Sequence, residues 1–242
     1  MAQSIYPNYL RENVYAGTYC EIAMESYFQA KQLHNVIKKH NYIVSSIHDI
    51  FTMDKYSIIT IVFSAMCLEA FINDYAAACL GDSDFYENFD KLSTISKLQL
   101  IAKFIWNDDL DKGQAYYCRL KRLFKERDAI VHSKSHLSKY QGMTEVEFKQ
   151  YVSQNTERAD NVGYDEDAFD KDEVDTVIRT ALDSLKAIYD IAKLFDAHDS
   201  NVHAVSKLIR PNGVRWGEAT EKQYKSVVLP ALGIKVEKKN EI

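Results

Sequence analysis

Residues 170–195, DKDEVDTVIRTALDSLKAIYDIAKLF, decide the fold class. Val174, Ile178, Ala181, Leu185, Ile188, Ala192 and Phe195 recur at alternating spacings of four and three, which is one face of an α-helix and not the two-residue repeat of a strand. Asp170 and Glu173 stand at the spacing of a capping box, so this helix also has its own start signal.

Working outward from that stripe, the same period recurs upstream. Ala30, Leu33, Ile37, His40, Val44, Ile47 and Phe51 predict one long helix from Thr18 to Phe51. Asp54 is the expected cap of a second helix running to Leu80 and stopped by Gly81, with Ile58, Ile61, Ala65, Leu68, Ile72, Tyr75 and Cys79 as its stripe. Phe63, Met66 and Phe71 add apolar surface on its other sides, which makes it the expected core helix. An Asp- and Asn-rich loop from Gly81 to Asp90 leads to a third helix, with Ile95, Leu98, Ala102 and Ile105 inward, ending at Trp106. After a polar break at 107–113 a fourth helix begins near Gln114.

Residues 133–170 lose the period, apart from a capped turn at Thr144-Glu145-Val146-Glu147 followed by Phe148, Tyr151 and Val152, and read as a long surface excursion. Beyond residue 198, Pro211-Asn212-Gly213 and Pro230 break the chain into short helices, and Lys235 to Ile242 form a charged tail. The expected fold is all-α, an antiparallel bundle of four to five long helices with short C-terminal helices. Residues 1–198 make the helical domain and 199–242 its extension.

Composition agrees with a folded helical protein. The 242 residues are 46% hydrophobic and 27% charged, enough to bury a full core, and eight Gly and three Pro are too few for a β-sandwich or a phosphate-cradling α/β fold. The net charge of −5 argues against a broad basic surface for duplex nucleic acid and leaves room only for a local patch. Cys20, Cys67, Cys79 and Cys118 lie far apart with no CxxC pair, and no signal peptide is evident, so they read as free thiols of a soluble, cytoplasmic protein. The most apolar run, Ile58 to Ala78, is interrupted by Glu69, Asn73 and Asp74, a poor pattern for a membrane span.

One stretch of the fourth helix carries chemistry. A basic run, Arg119, Lys121, Arg122 and Lys125, is interleaved with Leu120, Leu123 and Phe124 and leads into Arg127-Asp128-Ala129-Ile130-Val131-His132. Arginine can hold two phosphate oxygens and histidine can move a proton near neutral pH, two needs of RNA cleavage by internal attack. Residues five apart on a regular helix point about 140° from each other. The pair therefore converges only if the helix ends near Ile130, as Ser133-Lys134-Ser135 suggests, or if a second subunit completes the site. By spacing alone, a solvated basic face with His132 near a helix C-terminus explains the same residues.

The motif in its context resembles the HEPN superfamily, all-helical domains with an R-x(4–6)-H motif at the end of a core helix. The match consists of Arg127, the polar Asp128 directly after it, and His132. Cys67-Leu68-Glu69-Ala70-Phe71-Ile72-Asn73-Asp74 is similar to the LEAxxN helix of HEPN proteins from abortive-infection and toxin systems, and the resemblance spans roughly residues 18–198. It implies a metal-independent endoribonuclease without a cofactor, commonly a homodimer with facing motifs, acting on RNA as a toxin or anti-phage effector and restrained by an antitoxin or regulatory protein. His132 would be general acid or base, Arg127 would hold the scissile phosphate, and Asp128 would orient one of them. The alternative is a non-catalytic HEPN-like module for dimerisation or for binding a nucleotide or protein.

Glu69 and Asn73, one turn apart on the second helix, either reach the fourth helix to position Arg127 or sit at the edge of the apolar stripe in water. Arg119, Lys121, Arg122 and Lys125, with Tyr116 and Tyr117, are the candidates for RNA contact. His40 on its apolar stripe reads as a packed residue, and His132 and His136 lack companion ligands for a metal site.

Overall fold

The computed structural model describes residues 15–40, 42, 47–132, 171–209 and 226–235. They form α1 (Ala16–Lys39), α2 (Ile47–Leu80), α3 (Asp82–Asn88) and α4 (Thr94–Leu100), which continues into a π-helical turn (Ile101–Ile105). Then come α5 (Ala115–Val131), α6 (Lys171–His198), α7 (Ala204–Leu208) and a further helical stretch at 226–231. No strand occurs among the described residues, and the fold is an all-α bundle.

Cross-helix contacts set the directions. Tyr19 and Cys20 near the start of α1 meet Phe63 and Cys67 at and just past the middle of α2. His34 near the end of α1 meets Asp175 at the start of α6, while Phe71 and Tyr75 of α2 pack on Phe195 near the end of α6. Arg119 early in α5 pairs with Asp190 late in α6. Hence α1 and α5 run one way and α2 and α6 the other, the antiparallel arrangement expected of a bundle.

The stripe that decided the fold class is wholly inside: Val174, Ile178, Ala181, Leu185, Ile188, Ala192 and Phe195 are all buried, joined by Ser184, Ala187 and Ile191. On α2, Ile61, Ala65, Leu68, Ile72 and Tyr75 are buried as the period requires, whereas Ile58 is exposed and Phe63 and Met66 are half-buried. By length and composition α2 could cross a membrane, and half of its apolar stretch is covered by the rest of the bundle. Gly81 ends it at φ 89°, a conformation that side chains with a Cβ rarely adopt.

Several boundaries differ from the sequence reading. The stripe from Thr18 to Phe51 is not one helix, because α1 stops at Lys39 and α2 begins at Ile47. Tyr42 sits at φ 60°, its N–H donates to Ile37 O at 3.0 Å, and its hydroxyl donates to Asp175 Oδ1 at 2.9 Å. This knot between α1 and α6 turns the chain where apolar spacing alone continues. In consequence His40 and Phe51 are exposed, and Asp54 lies within α2 instead of capping it. The expected loop at 81–90 contains α3, which buries Phe85. Ser93 caps α4 by accepting the Ser96 N–H, and Trp106 N–H reaches Ile101 O at 3.1 Å to close the π-helical turn. Pro230 falls inside the helical stretch 226–231 instead of breaking it. The expected excursion at 133–170, the capped turn at 144–147, the Pro211-Asn212-Gly213 break and the tail beyond Lys235 lie outside the described residues, as does Val44.

Candidate site at the end of α5

The inward row of α5 is Tyr117, Leu120 and Phe124, with Leu123 beside it, all buried. Three residues after Phe124 comes Arg127, so the arginine continues the core-facing row at the point where its apolar members end. Its guanidinium carbon lies 5.3 Å from the centre of the Phe124 ring, and its side chain is 29% exposed. Such stacking on an aromatic face holds the cation in place. The Nε atom is buried and has no aligned acceptor among the described residues. Asp128 Oδ1 stands 3.1 Å away, a charge contact whose direction does not make it a hydrogen bond.

His132 is the C-cap of α5. Its N–H still donates to Asp128 O at 2.9 Å, and its side chain is exposed. The helix thus ends at Val131, close to Ile130 as expected, but because the His132 N–H is still in the helical hydrogen-bond pattern, Arg127 and His132 keep roughly the 140° separation of a regular helix. Arg127 lies on the core-facing row, whereas His132 continues the solvent-facing row of Lys121 and Lys125, both exposed. Within one chain the two groups do not converge.

The remaining candidates divide sharply. Arg119 is ion-paired to Asp190, and Arg122 reaches Asp183 at 3.5 Å, so both arginines face α6. Tyr117 is buried and its hydroxyl accepts from Gln99 Nε2 at 2.8 Å. Tyr116 is half-buried, with burial pushing its hydroxyl up in pKa. Asn73 Oδ1 accepts from Lys97 Nζ at 2.8 Å, and the Glu69 carboxylate acts on the same lysine. Neither residue is joined to Arg127 by a hydrogen bond or ion pair among the described residues.

Two arrangements escaped the sequence reading. Lys97 is 3% exposed, lies 5.5 Å above the Phe85 ring, and has its pKa lowered by burial, with Asp90 and Glu69 opposing. Its place among Thr94, Leu98 and Ile101 on the inner face of α4 was the available signal. It borders an apolar cavity of about 310 Å³, lined by Ala76, Leu80, Phe89, Leu100 and Phe104 among others, at the end of the bundle where α5 begins and far from His132. The second is His198, stacked on Trp106 at 4.3 Å. Its Nδ1 lies 2.9 Å from Leu194 O and its Nε2 lies 3.2 Å from Asp108 Oδ2, so the ring bridges the α6 backbone and the polar segment after Trp106. Asp108 is held below the usual carboxylate range, first by that histidine and then by the Asp109 N–H. Among the described residues no group of His, Cys, Asp and Glu is arranged to hold a metal ion.

Compared with protein-family models, with curated proteins and with solved structures, the chain shows no match.

Proposed function

We propose that the chain is a metal-independent endoribonuclease that acts as a homodimer, with Arg127 and His132 as its catalytic residues. The observation that carries the reading is the end of α5. An arginine stacked on Phe124, with a buried Nε lacking an aligned acceptor, precedes by five residues a solvent-facing histidine at the last cap of the same helix. The divergence of the two side chains supports a site completed across a dimer, in which the arginine of one copy serves the histidine of the other. There His132 takes the proton of the ribose 2′-hydroxyl, the oxygen attacks phosphorus to form the 2′,3′-cyclic phosphate, and the 5′-oxygen leaves as an alcohol with a proton taken from solvent water. Arg127 neutralises the charge that builds on the phosphoryl oxygens. Asp128 acts on Arg127 through the 3.1 Å charge contact. RNA is then the substrate, and a toxin or anti-phage role in the cytoplasm, restrained by an antitoxin or regulatory protein, is the biological setting that the motif's family suggests.

The test is incubation of the purified full chain with total and synthetic RNA in EDTA. Cleavage leaving 2′,3′-cyclic phosphate ends is expected, and His132→Ala and Arg127→Ala should each lower the rate by about a hundredfold or more. Equal cleavage by wild type and both variants would dismiss the assignment. The same divergence of Arg127 and His132 favours a second reading, a non-catalytic helical module. That reading predicts an intact dimer that cleaves nothing.

A further inference from the structure

The basic run of α5 splits into two functional halves. Arg119 is ion-paired to Asp190 of α6, and Arg122, though exposed, is directed at Asp183 of the same helix at 3.5 Å, so both arginines have a carboxylate partner within the chain. Lys121 and Lys125 are exposed and make no ion pair among the described residues. Helical geometry sorts them further. Lys125 follows Lys121 by four residues, and His132 follows Lys125 by seven, two near-complete turns, so the three lie within about 40° of one line along the helix. They rise about 6 Å and then about 10 Å along the axis. The exposed Asp128 is the one carboxylate of α5 on that line, and its Oδ1 lies beside Arg127 Nε.

From this geometry we propose that Lys121 and Lys125 form a single-file track that leads the phosphodiester backbone of a single-stranded RNA to His132, while Arg119 and Arg122 are structural ties between α5 and α6. The proposal rests on the nuclease reading for what His132 does at the end of the track. A single row of cations on a chain of net charge −5 suits one strand, since a duplex presents two phosphate rows to a wide surface. Neither lysine is needed for the packing of α5, whose core contacts come from Tyr117, Leu120, Leu123 and Phe124.

The experiment uses the full chain and a short fluorescent 2′-O-methyl single strand, which cannot undergo internal attack, so binding is read apart from cleavage. Fluorescence anisotropy across a salt series compares wild type, Lys121→Ala/Lys125→Ala, and Lys112→Ala, which removes an exposed lysine just before the start of α5. The double variant should bind about tenfold more weakly, and the slope of log affinity against log salt should fall in magnitude by about 1.4, two contacts at roughly 0.7 each. Lys112→Ala should bind as wild type does. Unchanged affinity in the double variant, an equal loss in Lys112→Ala, absence of binding by wild type, or tighter binding of the matching duplex would overturn the track. If the track passes and natural RNA remains uncut, the nuclease reading fails alone. Should the double variant cleave with unchanged KM, the track fails and the nuclease stands.

Discussion

At the scale of single residues, the identity of a side chain leaves its role open until its partners are known. Histidine shows this well. His40, which the apolar stripe selects, is exposed, while His34 is buried between two polar partners. Lys31 Nζ lies 3.1 Å from its Nδ1, and Asp175 Oδ1 lies 2.7 Å from its Nε2. Asp175 also accepts from the Tyr42 hydroxyl, and these two hydrogen bonds, that of His34 foremost, hold its carboxyl below the usual range against the opposing effect of burial. A lowered carboxyl pKa stabilises the fold above the ordinary value near 3.9, and the benefit disappears as pH falls through the lowered one. With 38% of the Asp175 side chain in solvent, the contribution is on the order of 0.5–1 kcal/mol. Urea unfolding of Asp175→Asn should show that deficit at pH 7 and a narrowing gap from wild type below about pH 4. A gap that stays constant to low pH would mean that the carboxylate charge is not what ties Tyr42 and His34 together.

At the scale of elements, periodicity located each long helix among the described residues and failed at their junctions. The α6 stripe was legible because seven apolar residues share one face and all seven are buried. The break between α1 and α2 was not, because it depends on Asp175, more than a hundred residues away, drawing in Tyr42 and His34. The π-helical turn was equally hidden, since Trp106, whose N–H closes it, packs against Phe195, Tyr75 and His198, contacts that local spacing does not show. Gly81, by contrast, was readable as a stop, and the structure supplies the reason in its φ of 89° and ψ of 145°. A Cβ at that position meets no atom within 4 Å, so Gly81→Ala carries a backbone penalty and no clash. We expect a loss of roughly 1–3 kcal/mol and a Tm lower by several degrees. An unchanged Tm in a thermal melt would mean that the α2–α3 turn accommodates the alanine without strain. The candidate site follows the same rule. The motif and its basic run stand in the sequence, but the sorting of four cations into two ties and two exposed lysines needed the partner carboxylates of α6.

At the scale of the whole molecule, the bundle keeps Arg127 and His132 apart. A continuous α5 places the arginine on the inward row and the histidine on the outward one, and the Phe124 stack holds the former in place. The proposed nuclease therefore draws its arginine and its histidine from two copies of the chain. Two copies related by a two-fold axis would carry two equal sites, each with the histidine of one and the arginine of the other. The exposed apolar residues Val131 of α5 and Phe51 and Ile58 of α2 are surface that such an association can cover. Variants that are individually inactive for different reasons then become informative together.

The most direct measurement mixes the two. Arg127→Ala and His132→Ala chains are co-expressed, and their ability to cleave RNA in EDTA is compared with that of each variant alone. A composite site predicts recovery to about a quarter of wild-type activity, because half of the randomly formed dimers are mixed and each carries one intact site of two. A mixture as inactive as its parts, beside an active wild type, would contradict the shared site, and an inactive wild type would contradict the nuclease itself.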